Sequence, residues 1–359
     1  MNILCVGDIH FGKLNNDDYV YECLKKNFIG YAEKIKPDLI VICGDSYDCR
    51  VMVDSSANIN FNKFISDCRD TGAIIIVIEG TESHERYQIN GLLHYVSDKF
   101  FIVNTVTKLN ILGMKLLILP EEYVKNENYY DSYLNDKYDF IFGHGMSKHV
   151  GFSSTVSEEI VKSPYVWDAK VLKSICKNYT VFGHIHIHSE YNNFIYTGSF
   201  SRLNFGEMEP KGFIHIYDKN GKFEYKFVEN KDAPTFTDIY ESKLPDDTEG
   251  LLKHLRGYQE NNNFVRIVID QSDDNKFNTI KGFVINHKNC CIKRVINTTE
   301  KRLEDISNNI KEKQSVLIDK MKDYNNLDFI QITQKIAKDE YHETFTKEEI
   351  NEVLNTKEA

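Results

Sequence analysis

One device recurs along this chain: a short apolar run stops at a glycine, and an aspartate or histidine follows at once. Ile3 to Val6 runs into Gly7-Asp8-Ile9-His10, and Leu39 to Cys43 runs into Gly44-Asp45. Ile74 to Ile78 leads to Gly80 and then Ser83-His84. Phe140 to Phe142 runs into Gly143-His144, and Thr180 to Phe182 into Gly183-His184-Ile185-His186. Short apolar runs bounded in this way read as buried strands. In open α/β sheets, ligands collect beyond the carboxyl ends of the strands. Side chains two apart on a strand point the same way, so Asp8 and His10 can reach one site at the strand's carboxyl end. The strand ends thus carry Asp8, His10, Asp45, His84, His144, His184 and His186 toward one rim, and a metal site explains them together.

The ligand types narrow the chemistry. Oxygen and nitrogen donors without thiolate favour hard or borderline ions, Mn²⁺ first, with Mg²⁺, Fe²⁺ or Zn²⁺ as alternatives. A carboxylate in the middle of the set, Asp45, can bridge two ions. Two divalent ions about 3.5–4 Å apart can clamp the attacking and phosphoryl oxygens of an in-line displacement. The reaction best served by such a set is phosphoester hydrolysis.

Composition sets the outer bounds. With 359 residues, 41% apolar and 27% charged, the chain has the make-up of an ordinary soluble globular protein with room for one large domain and a smaller one. No run approaches the ~20 apolar residues of a membrane span, and no basic-then-apolar leader is expected at the opening, where Asp8 and His10 interrupt the apolar stretch. The eight cysteines form no C-x-x-C pair, which suits reduced, buried thiols and a cytoplasmic location. A net charge of −10 makes the chain a poor stand-alone binder of polyanions. A nucleic-acid substrate would need metal ions, local basic patches or a partner to supply the attraction.

Along residues 1–232, strands alternate with helical stretches at 17–36, 58–70, 87–97 and 168–177. Hairpins are expected at 109–119, turning at Gly113, and at 212–228, turning at Asn220-Gly221. This order predicts two sheets face to face with helices outside. Residues 233–298 read as a small α+β domain with a helix over 246–259 and strands at 264–270 and 290–296. The remainder, 299–359, reads as helical: Leu303, Ile310, Leu317 and Tyr324 recur every seven residues, and Thr346-x-x-Glu349 is a capping-box pattern. Such an arm either packs on its own domain or fits the groove of a partner.

Taken in order, Asp8-x-His10, Gly44-Asp45, Gly80…His84, Gly143-His144 and Gly183-His184-x-His186 resemble the calcineurin-like metallophosphoesterase superfamily. The Tyr196-Thr-Gly-Ser-Phe-Ser201 segment after the last motif narrows the resemblance. It is similar to the SbcD-type (meiotic recombination eleven) nucleases of DNA double-strand-break repair, including those of large bacteriophages. The resemblance implies a four-layer α-β-β-α metallophosphoesterase sandwich with a small α+β cap domain and a helical C-terminal arm. It implies one ion held by Asp8, His10, Asp45 and His186, and a second by Asp45, His144, His184 and a residue of the third motif. His84 would be the catalytic histidine outside the ligand set. The third motif departs from the family's Gly-Asn-His-Asp/Glu: here it reads Gly80-Thr-Glu-Ser-His-Glu85, two residues longer and without asparagine. Ser83 stands where the amide ligand belongs, with Glu82 or a water as substitutes.

Among flanking residues, Arg50 and Arg202 are candidates for phosphate contacts, although solvated arginine is the plainer reading of each. Ser199, within the 196–201 segment, either positions substrate or packs the last strand. His149 and His188 read as surface residues, and Asp48 as a brace for its turn. The function implied is a Mn²⁺-dependent DNA nuclease, exonuclease on duplex ends and endonuclease on single strands or hairpins. It would act as a homodimer with a coiled-coil ATPase of the structural-maintenance-of-chromosomes kind that grips 299–359. The alternatives are a phosphatase or cyclic-nucleotide phosphodiesterase on the same scaffold, or a scaffold that has lost catalysis.

Overall fold

The computed structural model describes residues 1–13, 16–85, 87–122, 128–148, 165–240, 243–244, 249–250, 253, 256, 263–270, 274–284 and 289–295. His149, the arm 299–359 and all but four residues of the expected helix 246–259 lie outside the described residues. The chain divides into two compact units, Met1–Thr237 with Tyr258–Phe264, and Asp238–Gly257 with Val265–Ala359.

The first unit begins with β1 (Asn2–Val6), β2 (Leu39–Cys43), β3 (Ile74–Ile78) and β4 (Phe100–Val103). A continuous helical stretch, Asp17–Cys23, Leu24–Ile29 and Gly30–Ile35, joins β1 to β2, and the helix Ser56–Asp70 joins β2 to β3. Then come the hairpin of β5 (Thr107–Ile111) and β6 (Met114–Leu119), β7 (Phe140–His144), and the two-residue strands β8 (Ser147–Lys148) and β9 (Trp167–Asp168). After the helix Ala169–Ile175 follow β10 (Thr180–Gly183), β11 (Ser189–Tyr191), β12 (Phe194–Tyr196) and the hairpin of β13 (Gly212–Lys219) and β14 (Lys222–Glu229).

These strands form two six-stranded sheets, ordered β14-β13-β1-β2-β3-β4 and β11-β12-β10-β7-β6-β5. β1 to β4 run parallel, as do β6, β7, β10 and β12, and the hairpin partners β13, β5 and β11 add antiparallel strands. Parallel strands covered on both faces read as unbroken apolar runs, and Leu39-Ile-Val-Ile-Cys43 is buried throughout. Because side chains alternate along a strand, each run serves two cores. Leu39, Val41 and Cys43 join Leu116, Ile118, Phe140 and Phe142 of the other sheet in one cluster, so the sheets pack face to face. Ile40 and Ile42 turn to the opposite side, against Phe28, Phe61 and Phe64 of the helices. Leu117 and Leu119 face a third cluster with Leu172 and Trp167.

Some elements differ from the expectation. β4 was not foreseen as a strand; its four residues, Phe-Phe-Ile-Val, pair with β3 at the sheet edge. The stretch near 87–97 is a tight 3₁₀ helix, Gln88–Tyr95, entered through a left-handed Tyr87. Further along the chain, β15 (Phe236–Tyr240), β16 (Phe264–Asp270) and β17 (Cys290–Val295) form a three-stranded sheet, and an unforeseen helix, Asp274–Val284, links the last two strands. Arg266 grips Asp238 there through two hydrogen bonds, at 2.6 and 2.7 Å. Among the described residues no helix is long and apolar enough to cross a membrane.

Candidate metal centre

β1 stops at Val6, two residues before Asp8. Asp8 and His10 therefore converge for a different reason than strand alternation. Both have left-handed backbones, φ 51° and 53°, as do Asp45 at 49° and His184 at 97°. Such conformations cost roughly 1–3 kcal/mol each and persist where the surroundings over-determine them, commonly at functional sites. Each one turns the chain sharply at a strand end and aims a side chain back across the rim.

Glycines make the close packing possible at two of these turns. A Cβ on Gly44 would lie 2.4 Å from His144 Nδ1, and φ there is +82°. One on Gly80 would lie 2.3 Å from both the amide nitrogen and Oδ1 of Asp45.

The resulting cluster is arranged around Asp45, a carboxylate with almost no exposure. Its Oδ2 lies 3.2 Å from His84 Nδ1, 3.3 Å from His144 Nε2 and 3.8 Å from His10 Nε2. On one side, His10 Nε2 and His186 Nε2 face each other at 3.1 Å, with Asp8 Oδ1 3.9 Å from His186. On the other, His184 Nδ1 lies 3.3 Å from Glu121 Oε2, which is 3.6 Å from His144 Nε2. Three groupings have mutually close donor atoms: Asp8, His10 and His186; His10, Asp45 and His84; Asp45, His144 and His184. Ligand bonds of about 2.0–2.2 Å put neighbouring donors around one ion about 3–4 Å apart. These separations, and the mix of carboxylate and imidazole, fit divalent cations.

The supporting bonds orient the donors. His144 Nδ1 lies 2.7 Å from the Cys43 carbonyl, which fixes the proton on that nitrogen and turns the Nε2 lone pair toward Asp45. His10 Nδ1 is 3.4 Å from Asp48 Oδ1, which also holds Lys13 at 3.1 Å. The His184 amide donates to both carboxylate oxygens of Asp8, at 2.9 and 3.0 Å. The Thr81 amide donates to Asp45 Oδ1 at 2.6 Å.

The electrostatics match. Burial alone would raise the Asp45 pKa, but His144, His84 and His10 outweigh it and hold the group well below the usual carboxylate range. Burial likewise works against Glu121, and His184 and His144 bring it down. Asp48, raised by burial but lowered further by His10 and Lys13, comes to about 2. Glu85 goes the other way, to about 8: burial and the Asp45 charge outweigh the Gly80 and Ser46 amides that it accepts from, at 2.8 and 3.2 Å.

Asp8, His10, Asp45, His84, His144, His184 and His186 are thus brought together. Ser83 is exposed on the short turn Glu82–Glu85, whereas the Thr81 hydroxyl lies among the donors, 3.1 Å from Asp45 Oδ2 and 3.0 Å from Glu121 Oε2. Arg50 is exposed. Arg202 donates to the Ala233 and Pro234 carbonyls, at 3.3 and 3.5 Å. Ser199 is fully buried, within reach of the Ser201 and His186 carbonyls and of Lys211 Nζ at 3.0 Å. His188 stacks on Phe227 with ring centres 4.6 Å apart.

Sequence reasoning passed over Thr81, Glu121, Glu207 and Lys211. Lys211 is buried, paired with Glu207 at 2.7 Å, and donates to the His186 carbonyl at 2.9 Å. Glu207 also faces His186 Nδ1 at 3.8 Å. A signal for Glu121 existed: the apolar run of β6 ends in Pro120-Glu121, a strand end punctuated by proline where the others have glycine.

No protein-family model matches the chain, and no curated protein sequence does. Solved structures overlap it loosely. A dimetal phosphatase from Danio rerio is 9% identical over 64% of this chain and 96% of its own, with a TM-score of 0.39. A protein of unknown function from Aquifex aeolicus is 14% identical over 49% of this chain and 93% of its own, with a TM-score of 0.24. A glutamine-dependent NAD+ synthetase from Acinetobacter baumannii is 10% identical over 94% of this chain and 73% of its own, with a TM-score of 0.34. None of these overlaps carries the chemistry of the site, which stands on the residues themselves.

Proposed function

We propose that this protein is a two-metal phosphodiesterase that cleaves DNA, built on a four-layer α-β-β-α sandwich. The observation that carries the reading is the Asp45 carboxylate, whose single oxygen Oδ2 is shared by His10, His84 and His144 at 3.2–3.8 Å, between further donors on either side. Asp8, His10, Asp45 and His186 would hold one ion, and Asp45, His144 and His184 the other, with Mn²⁺ the leading choice and Mg²⁺ the alternative. Such ions supply a nucleophile at neutral pH and positive charge against the phosphoryl oxygens.

The chain's own residues do the rest. His144 is held by the Cys43 carbonyl in the tautomer that presents Nε2, and Asp48 faces Nδ1 of His10 at 3.4 Å. His84 has ring Nδ1 at Asp45 and a partly exposed side chain, 17%. It is the group suited to give a proton to the leaving oxygen near neutral pH. Asp8 is kept from turning by the His184 amide.

DNA as the substrate is supported by the order of the motifs and by the segment Tyr196–Ser201 that follows them. The net charge of −10 fits a nuclease that leaves much of the DNA grip to a partner, a coiled-coil ATPase bound through 299–359, and to a second copy of the chain. Cytoplasmic action follows from the same reading.

The test is cleavage of end-labelled linear duplex by the purified chain in Mn²⁺, Mg²⁺ or EDTA, beside a nitrophenyl phosphodiester. Shortening of the duplex in Mn²⁺ and none in EDTA is the expected result. Hydrolysis of phosphomonoesters or cyclic nucleotides with DNA untouched, even with the ATPase added, would overturn DNA as substrate. Deleting 299–359 should abolish co-purification with the ATPase and spare diester hydrolysis.

A further inference from the structure

We infer that Glu121 supplies, as a carboxylate, the ligand that the Gly80–His84 loop lacks as an amide, completing the set around the ion that Asp45, His144 and His184 would hold. The inference rests on the two-ion reading of the cluster.

Sheet topology puts Glu121 where a ligand is needed. β6, β7 and β10 are consecutive neighbours in one sheet and run parallel. Leu119 pairs with Gly143, and Gly183 pairs with His144. The three strands therefore end level, and the chain leaving each end carries Glu121, His144 and His184 side by side. Strand-end position is the property shared by the other candidate ligands, and Glu121 has it too.

Distances agree. Glu121 Oε2 lies 3.3 Å from His184 Nδ1 and 3.6 Å from His144 Nε2. Those separations fall within the 3.1–3.9 Å found among Asp8, His10, Asp45, His144 and His186. The Glu121 side chain is only 3% exposed. A carboxylate is placed at such depth only against strong compensation, and here its Oε2 faces two metal-type donors, His144 and His184. Thr81 holds the geometry: its hydroxyl stands between the Asp45 and Glu121 carboxylates, at 3.1 and 3.0 Å, with a single proton that can go to either. Ser83, by contrast, is exposed.

The exchange has a chemical consequence. A carboxylate brings a full negative charge to a position where an amide would be neutral. The second ion would then face two carboxylates and two imidazoles, a harder and more anionic set that favours Mn²⁺ or Mg²⁺.

The experiment is Mn²⁺ titration of the full-length chain by calorimetry, with the coupled spectrum of a Mn²⁺ pair followed by paramagnetic resonance. Wild type and S83A should each bind two ions and give the coupled signal. E121Q keeps the shape and removes the charge. It should bind one ion as wild type and the second at least about 10–100-fold more weakly, the loss typical of even indirect ligand support, and the coupled signal should vanish. E121D, which keeps the charge and retracts the oxygen by one methylene, should fall between. Two ions of wild-type affinity in both Glu121 variants, with the coupled signal intact, would overturn the role of Glu121 alone. Fewer than two ions in the wild type would instead overturn the two-ion reading, and this inference with it.

Discussion

Asp48 Oδ1 lies 3.4 Å from Nδ1 of His10, on the ring edge opposite the Nε2 that meets His186 at 3.1 Å. A carboxylate behind an imidazole fixes its tautomer and raises its basicity as a ligand. On the two-ion reading, Asp48→Asn should therefore weaken binding of the ion assigned to Asp8, His10 and His186 by about 10–100-fold, without altering the fold. Calorimetric Mn²⁺ titration reads this directly. Unchanged affinity would reduce Asp48 to a brace for its own turn.

His84→Ala separates ligation from acid–base work. With Nδ1 3.2 Å from Asp45 Oδ2, His84 sits at the edge of the donor set. The expected result is a fall in turnover of about 10²–10⁴-fold, the range for loss of a general acid, with both ions retained. If an ion is lost with the ring, His84 is a ligand and another group must serve the leaving oxygen.

Lys211 tests the scaffold behind His186. Its side chain is 0% exposed and its partner Glu207 only 15%. Lys211→Met leaves that carboxylate without its cation, and breaking a buried pair from one side typically costs about 3–5 kcal/mol. Urea unfolding should show the loss, and the double variant with Glu207→Gln should recover part of it. A single variant as stable as wild type would mean that solvent reaches the pair.

His215 gives the fold a pH dependence remote from the metal centre. It lies 2.8 Å from the Tyr31 hydroxyl and 3.1 Å from Asn2 Oδ1. Burial, aided by the Lys226 charge, lowers its pKa from 6.5 to about 4. In that window the unfolded chain binds a proton that the folded one refuses, so stability falls as pH drops from 6.5 toward 4 and is flat above. Discounted for incomplete burial, the contribution is about 1–2 kcal/mol. Urea midpoints at about pH 7 and about pH 4.5 should converge in His215→Gln relative to wild type. An equal acid loss in both chains would place the sensitivity elsewhere.

Much of this architecture was legible before any coordinates. Buried parallel strands leave unbroken runs such as Leu39–Cys43, and Asn220-Gly221 marks its hairpin by turn chemistry alone. Apolar runs followed by Asp or His pointed to the rim, because the end of a parallel strand is a place both element types must reveal. Glu121 is hidden because proline, not glycine, follows its strand, and because a glutamate two residues past a strand looks like an ordinary solvated loop. The pairing of Lys211 with Glu207 was equally silent: two charges four residues apart give no sign of being buried. Asp8 and His10 do meet at one place, as strand alternation predicts, but β1 ends before them and two left-handed turns deliver them.

Those turns carry a further consequence. Asp8, His10, Asp45 and His184 each hold a conformation that glycine would adopt with less strain. At roughly 1–3 kcal/mol apiece, their sum rivals the whole margin of about 5–15 kcal/mol by which a domain stays folded. A chain shaped for robustness alone would carry glycine at these turns, so the four side chains are held at the rim against the thermal resilience of the fold. Stabilising screens on this chain should accordingly return variants at these positions that are tougher and inert.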